Sequence, residues 1–268
     1  MTELPFFVQA GDDVLAAILS LPAGQALGVV LFLAATEPTR VVGDLLWQET
    51  ASQLAALGVA SVRFDYAGQG ESTGEVAEWS LADVRPRVEQ ARRVLAAAED
   101  VLGPTPVVVA GRCAGGRIGL ELAAEEACAG LLWVDTPITE PARVGGLRRT
   151  MRASRAAGLV RSSRTLRRAV LAPAKRALPD THRTSAPVPR LLHRVLGGTP
   201  LLALCGEPVL REEGLDLDSY GKRLDAAAGS GNRARWELRA LPPDGEETDL
   251  IAGWIAGRLS SAALPALA

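Results

Sequence analysis

The sequence predicts an α/β protein built on a mainly parallel sheet with helices on both faces. Three observations carry this. Short β-branched, apolar runs alternate with segments of helical pattern along most of the chain. One such run, residues 107–110, passes without a linker through a glycine-rich sharp turn into an amphipathic helix. The chain has 268 residues, 48% of them apolar, which is enough to bury one large core.

The elements follow in order. Residues 6–10 and 13–21 form a first pair of strands around the turn Gly11-Asp12-Asp13. Residues 28–34 are continuously apolar, the pattern of a strand buried on both faces. A loop over 35–40 leads to a helix at 43–57, with Leu45, Leu46, Ala51, Leu54 and Leu57 on one side. The strand 59–65 runs into Tyr66-Ala67-Gly68-Gln69-Gly70-Glu71-Ser72-Thr73-Gly74. The next helix reaches about residue 102. It starts either at the capping box Ser80/Asp83 or near residue 85, because Pro86 lies beyond the first turn of the longer version. The strand at 130–135 precedes about 60 residues without the alternating pattern. That pattern resumes with a strand at 200–206, a helix near 216–228, a strand at 234–240 and a helix at 247–259. These positions divide the chain into a core (1–136 and 197–268) and an inserted helical cap (137–196).

The turn Gly111-Arg112-Cys113-Ala114-Gly115-Gly116 has the layout of a nucleophile elbow, with cysteine where serine is usual. Its glycines permit a bend that lifts the Cys113 side chain above the strand ends, and the helix start behind it offers free N–H groups and a positive dipole end. With Arg112 and Arg117 nearby, the expectation is a thiolate nucleophile. The same glycines do not fit the Gly-x-Gly-x-x-Gly frame of a dinucleotide site. Cys128 and Cys205, in apolar surroundings, read as core residues. No Cys-x-x-Cys pair and no metal-like cluster with the two histidines occurs, so neither a metal nor a cofactor is expected. The first residues lack a signal-peptide pattern, no apolar run is long enough to span a membrane, and the thiols suit a reducing compartment. The expectation is a cytoplasmic protein, its oligomeric state open.

This order of elements, with Arg63-Phe64-Asp65-Tyr66 through Gly68-x-Gly70-x-Ser72, the elbow, and Leu131-Leu132-Trp133-Val134-Asp135, resembles the α/β-hydrolase superfamily. The likeness is to its serine-aminopeptidase-like and exosortase-associated branch, and the elbow is similar to that of dienelactone hydrolases. It covers roughly 25–135 well and 198–259 loosely. The resemblance implies the α/β-hydrolase fold and a triad of nucleophile, acid and histidine in chain order. Cys113 fits the first role. For the acid, the turn Gly206-Glu207-Pro208-Val209 has no aspartate where the family places one, leaving Glu207, or Asp135 at the end of the strand after the elbow helix. The loop before the last helix holds no histidine; Glu246 or Glu247 stands in its place. His182 and His193, both in the insertion, are the remaining bases. Otherwise His182 is a loop residue and His193 a helix-surface residue. The oxyanion donors implied are the backbone N–H of Ala114 and one from the Ala35–Thr36 loop, where the family's histidine-glycine pair is absent. Asp65 and Ser72 read as turn residues whose side chains bond backbone groups.

Residues 141–195 hold 14 Lys/Arg and one acid, Asp180, against 15 basic and 30 acidic residues in the remainder. Arg148, Arg149, Arg152 and Arg155 recur at helical spacing. These arginines either pair with the acidic body or dock an acidic partner, such as an acyl carrier protein or the phosphates of coenzyme A. The strip has no aromatic residue to stack on a base, which argues against nucleic acid. Two functions follow. One is an acyl-processing enzyme, an esterase, thioesterase or acyltransferase acting through Cys113 on a small-molecule acyl substrate. The other is an inactive member of the fold that binds a ligand or partner through the basic cap.

Overall fold

The computed structural model describes residues 1–34, 45–75, 83–138, 187–229, 235–242 and 246–263. Eight strands form one sheet: β1 (Thr2–Ala10), β2 (Asp13–Leu21), β3 (Val29–Leu33), β4 (Ala60–Phe64), β5 (Val107–Arg112), β6 (Gly130–Val134), β7 (Leu201–Cys205) and β8 (Trp236–Ala240). Their order is β1-β2-β4-β3-β5-β6-β7-β8. β1 and β2 pair antiparallel, β2 meets β4 antiparallel, and every pairing from β4 to β8 is parallel. β1 starts at Thr2, four residues ahead of the expected strand. It is an edge strand, and its first residues are exposed and include Pro5, so they carry no apolar alternation to read.

Seven described helices cover the two faces: α1 (Leu45–Ala56), α2 (Arg85–Leu102), α3 (Ala114–Glu125), α4 (Val188–Leu196), α5 (Glu207–Glu213), α6 (Leu217–Ala228) and α7 (Glu247–Ala263). The two-residue period of β3 sorts the core. Val29, Leu31 and Leu33 face Val88, Ala91, Val94, Ile118, Leu192 and Leu224, contributed by α2, α3, α4 and α6. Val30 and Phe32 face Trp47, Ala51 and Leu54 of α1 and Ile251, Ile255 and Leu259 of α7. Phe32 stacks on Trp47 with ring centroids 4.7 Å apart. Leu57, expected on the buried side of α1, lies just past the helix end and is 47% exposed. α2 begins at Arg85 with a proline in its first turn and Val84 as a cap that makes no side-chain hydrogen bond, so the shorter version of that helix holds. Ser80 lies outside the described residues.

The turn after β4 staples it to β2. Asp65 Oδ2 accepts from Glu71 N–H (3.2 Å), Ser72 Oγ donates to the Asp65 carbonyl (2.7 Å) and accepts from Ala16 N–H (2.9 Å). Asp65 and Ser72 thus do the backbone-bonding work expected of them. Of the stretch 137–196, residues 139–186 lie outside the described part. α4, at its end, buries Leu191, Leu192, Val195 and Leu196 and packs against α3 and α6. Among the described residues no helix is long and apolar enough to cross a membrane.

Candidate active site

Parallel strands deliver their carboxyl ends to one edge of the sheet, where α/β proteins bind ligands. At that edge β5 gives way to α3 through Cys113, whose backbone stands at φ 51°, ψ −117°. A residue with a Cβ rarely takes that conformation, and holding it there costs on the order of 1–3 kcal/mol. The surroundings impose it. Cys113 N–H donates to the Val134 carbonyl (2.8 Å), and Gly116 N–H to the Cys113 carbonyl (3.1 Å). A Cβ on Gly111 would lie 2.3 Å from the Gly115 backbone, one on Gly115 would lie 2.1 Å from the Leu33 carbonyl oxygen, and one on Gly116 would lie 1.9 Å from Thr136 Oγ1. Bare glycines at these points let β3, the elbow and the β6 end close on one another. The result is a half-buried free thiol at the turn between β5 and α3.

The electrostatics correct the expected thiolate. Burial pushes the Cys113 thiol above its ordinary value; a hydrogen bond with the Ala114 backbone N–H pulls the other way; the Glu212 and Asp135 charges raise it further, and Arg112 lowers it. The helix start and the arginine are therefore present but outweighed. Arg112 is shared, with Nη2 3.9 Å from Asp135 Oδ2. Arg117 is buried within α3. Burial also pushes the thiols of Cys128 and Cys205 up, each to about 12, as suits core residues.

Asp135 stands at φ 49° at the end of β6 and ties the strand ends together. Its Oδ1 accepts from Gly206 N–H (2.7 Å), just after β7, while Oδ2 faces Arg112 at the end of β5. Glu207 does not join this group: its side chain is 81% exposed and pairs with Arg211 one turn on, at 2.5 Å. His193 sits exposed on α4, and its Nδ1 donates to the Ala228 carbonyl at 3.1 Å, so the helix-surface reading describes it. Glu246 is exposed just before α7 and Glu247 half-buried in its first turn; neither is among the leading charges acting on Cys113. Ala114, at the start of α3, is buried with its N–H directed at the Cys113 sulfur. Ala35, Thr36, His182, Arg148, Arg149, Arg152 and Arg155 lie outside the described residues.

Three residues at the site escape a reading of the chain. Thr136 packs against Gly116, and its carbonyl accepts from Tyr220 Oη (2.7 Å). Tyr220 is fully buried, hydrogen-bonded to Cys205, and its hydroxyl is held well above its usual range by that burial. Glu212, on α5, carries the largest side-chain charge effect on Cys113. A signal for Glu212 does exist: Pro208 and Gly214 bracket a short helix, α5, in which Gly214 takes the left-handed cap conformation. Five residues apart, Glu207 and Glu212 stand about 140° round that helix from each other. Among the described residues no group of three or more His, Cys, Asp or Glu side chains is placed to hold a metal ion.

Sheet order, helix placement and the strained turn after β5 together define the α/β-hydrolase fold, and solved structures agree. An esterase of Pyrococcus furiosus matches with a TM-score of 0.66 at 12% identity, over 97% of this chain and 91% of that one. The proline iminopeptidase of Mycobacterium smegmatis matches at 0.59 and 14% identity, over 98% and 100%. Est1E of Butyrivibrio proteoclasticus, bound to ferulic acid, matches at 0.59 and 16% identity, over 97% and 98%. At such identities the likeness is one of fold. No family model matches the chain, and no curated protein does.

Proposed function

We propose that this protein is an acyl-processing enzyme, an ester or thioester hydrolase or acyltransferase, with Cys113 as the nucleophile. The observation that carries the reading is the Cys113 backbone at φ 51°, ψ −117°, in a turn closed by three glycines that leave no room for a Cβ. Strain of that kind persists where it presents a reactive group. The Ala114 N–H beside the sulfur supports an oxyanion contact for the carbonyl under attack, with the second donor expected from Ala35 or Thr36. Burial pushes the Cys113 thiol up, so attack calls for a proton acceptor. Turnover is accordingly expected to be slow beside that of an enzyme with a full triad. The substrate is a small acyl ester or thioester, and a carrier-linked or coenzyme A-linked acyl group matches the arginine-rich segment.

Hydrolysis of aryl acetates and acyl thioesters tests this. Cys113→Ala abolishes turnover, and an electrophilic thiol reagent labels Cys113 ahead of Cys128 and Cys205. Full turnover by Cys113→Ala, with no preferential labelling, refutes the reading. A second reading, a ligand- or partner-binding module without catalysis, is favoured by the raised thiol and by His193 being engaged with Ala228. On that reading Cys113→Ser keeps the biological role, while neutralising Arg148, Arg149, Arg152 and Arg155 removes partner binding, which also weakens steeply with salt.

A further inference from the structure

We propose that Tyr220 is a positioning residue for Cys113: its hydroxyl fixes the Thr136 backbone, and Thr136 in turn braces the first turn of α3. This rests on the acyl-transfer reading of the preceding subsection. The phenol is aimed by α6. Asp216 caps that helix by accepting from Ser219 N–H (2.7 Å), and Tyr220, Leu224 and Ala228, four residues apart, form its buried face. Packing alone would be met by phenylalanine at this position. A hydroxyl taken into a core costs free energy unless it is bonded. That of Tyr220 reaches across 84 residues of sequence and donates to the Thr136 carbonyl at 2.7 Å.

Thr136 carries this anchorage to Cys113 by two routes. Its backbone continues from Val134 and Asp135: the Val134 carbonyl accepts from Cys113 N–H (2.8 Å), and Asp135 N–H donates to the Leu204 carbonyl (2.8 Å). Its side chain bears on α3. A Cβ added to Gly116 would overlap Thr136 Oγ1 and lie 2.8 Å from Thr136 Cβ and Cγ2. Gly116 N–H donates in turn to the Cys113 carbonyl at 3.1 Å. Tyr220, Thr136 and Gly116 thus make a buried line of contacts from α6 to Cys113. The Ala114 N–H, beside the sulfur, belongs to the turn of helix that this line braces. Slack there shifts the sulfur relative to that donor, and rates respond steeply to such misplacement.

Tyr220→Phe, Thr136→Ala and the two together test the role with two reagents. p-Nitrophenyl acetate passes its acetyl group to the sulfur, p-nitrophenol leaves with the thiol proton, and the carbonyl oxygen needs its donors on the way. Iodoacetamide alkylates the same sulfur at a saturated carbon, iodide leaving, with no oxyanion to hold. Each single variant should slow acetylation of Cys113 at least about tenfold, while its alkylation stays within about twofold of wild type. The double variant should be no slower than the slower single one, because both changes cut the same line. A tyrosine that only fills the core gives another pattern: acetylation and alkylation move together, and Cys128 and Cys205 become open to the reagent. That pattern overturns the proposal, as do wild-type acetylation by Tyr220→Phe and losses that multiply in the double variant; Cys113 then remains the nucleophile. Should Tyr220→Phe not fold, Thr136→Ala decides, its split of the two rates supporting the line and its lack of one refuting it. Wild-type protein that is never acetylated at Cys113 overturns the acyl-transfer reading and this role with it.

Discussion

The turn after β5 and the turn after β7 lie two strands apart on one edge of the sheet, and they are built in opposite ways. The first is strained: Cys113 is held at positive φ, and three glycines admit neighbouring backbone and the Thr136 side chain to within 2.3 Å of where a Cβ would be. The second is relaxed: Gly206 is extended, its N–H satisfied by Asp135, and the helix that follows sends Glu207 out to Arg211. In the ordinary plan of this fold the second turn delivers the acid of a triad. Here the first turn is closed tightly around Cys113, while Glu207 at the second points out to Arg211. Tight closure of a turn around one side chain and the placing of charged groups beside it are separable properties of one sheet edge.

Changes at the strained turn carry the largest expected effects. Gly115→Ala sets a methyl group against the Leu33 and Ala34 carbonyl oxygens, which are backbone and cannot step aside. Urea unfolding should show a loss of about 3 kcal/mol or more. A loss below about 1 kcal/mol would mean that the elbow is not tightly closed.

The β7 side gives a pH signature instead. Burial pushes the Cys205 thiol up to about 12, so the folded state keeps the proton that the unfolded chain loses above about pH 9. The sign follows: the contribution is complete below the unfolded value and disappears as pH rises toward the folded one. Its slope is about 1.4 kcal/mol per pH unit through that window. Cys205→Ala should flatten the alkaline fall in stability; an unchanged slope would show that the buried thiol is not its source.

A smaller effect of opposite sign isolates the strain itself. Cys113→Gly relieves the positive-φ conformation, at the expense of a more flexible unfolded chain. The net is a stabilisation of about 1 kcal/mol in the same urea assay, absent from Cys113→Ala. Equal stabilities for the two variants would argue that the turn is not strained. Smallest of all is Glu207→Gln. Its partner is an exposed arginine on the same helix, so stability should move by less than about 0.5 kcal/mol and the alkylation of Cys113 not at all.

Most of the sheet is legible in the chain because a strand buried on both faces has to be continuously apolar, as β3 is. The tight turn after β5 is legible for a similar reason, since only glycine fits where Gly111 and Gly115 meet neighbouring backbone. What the chain conceals depends on groups brought together from a distance. The Arg112 and helix-start arguments for a thiolate are sound locally, but burial of Cys113 and the charge of Glu212 belong to the assembled edge and prevail. Glu212 stands seven residues beyond β7, on a helix of seven residues too short to announce itself by periodicity. Tyr220 reads as one more residue of α6, and only the fold places its hydroxyl on the Thr136 carbonyl.

The central claim, that the thiol at the strained turn receives an acyl group, is tested most directly by mass spectrometry of the intact protein quenched in acid after brief exposure to p-nitrophenyl acetate. The account predicts a single acetyl adduct that maps to the peptide containing Cys113, decays on further incubation, and is absent from Cys113→Ala. An adduct confined to other residues, or none while p-nitrophenol is still released at the wild-type rate, would contradict it.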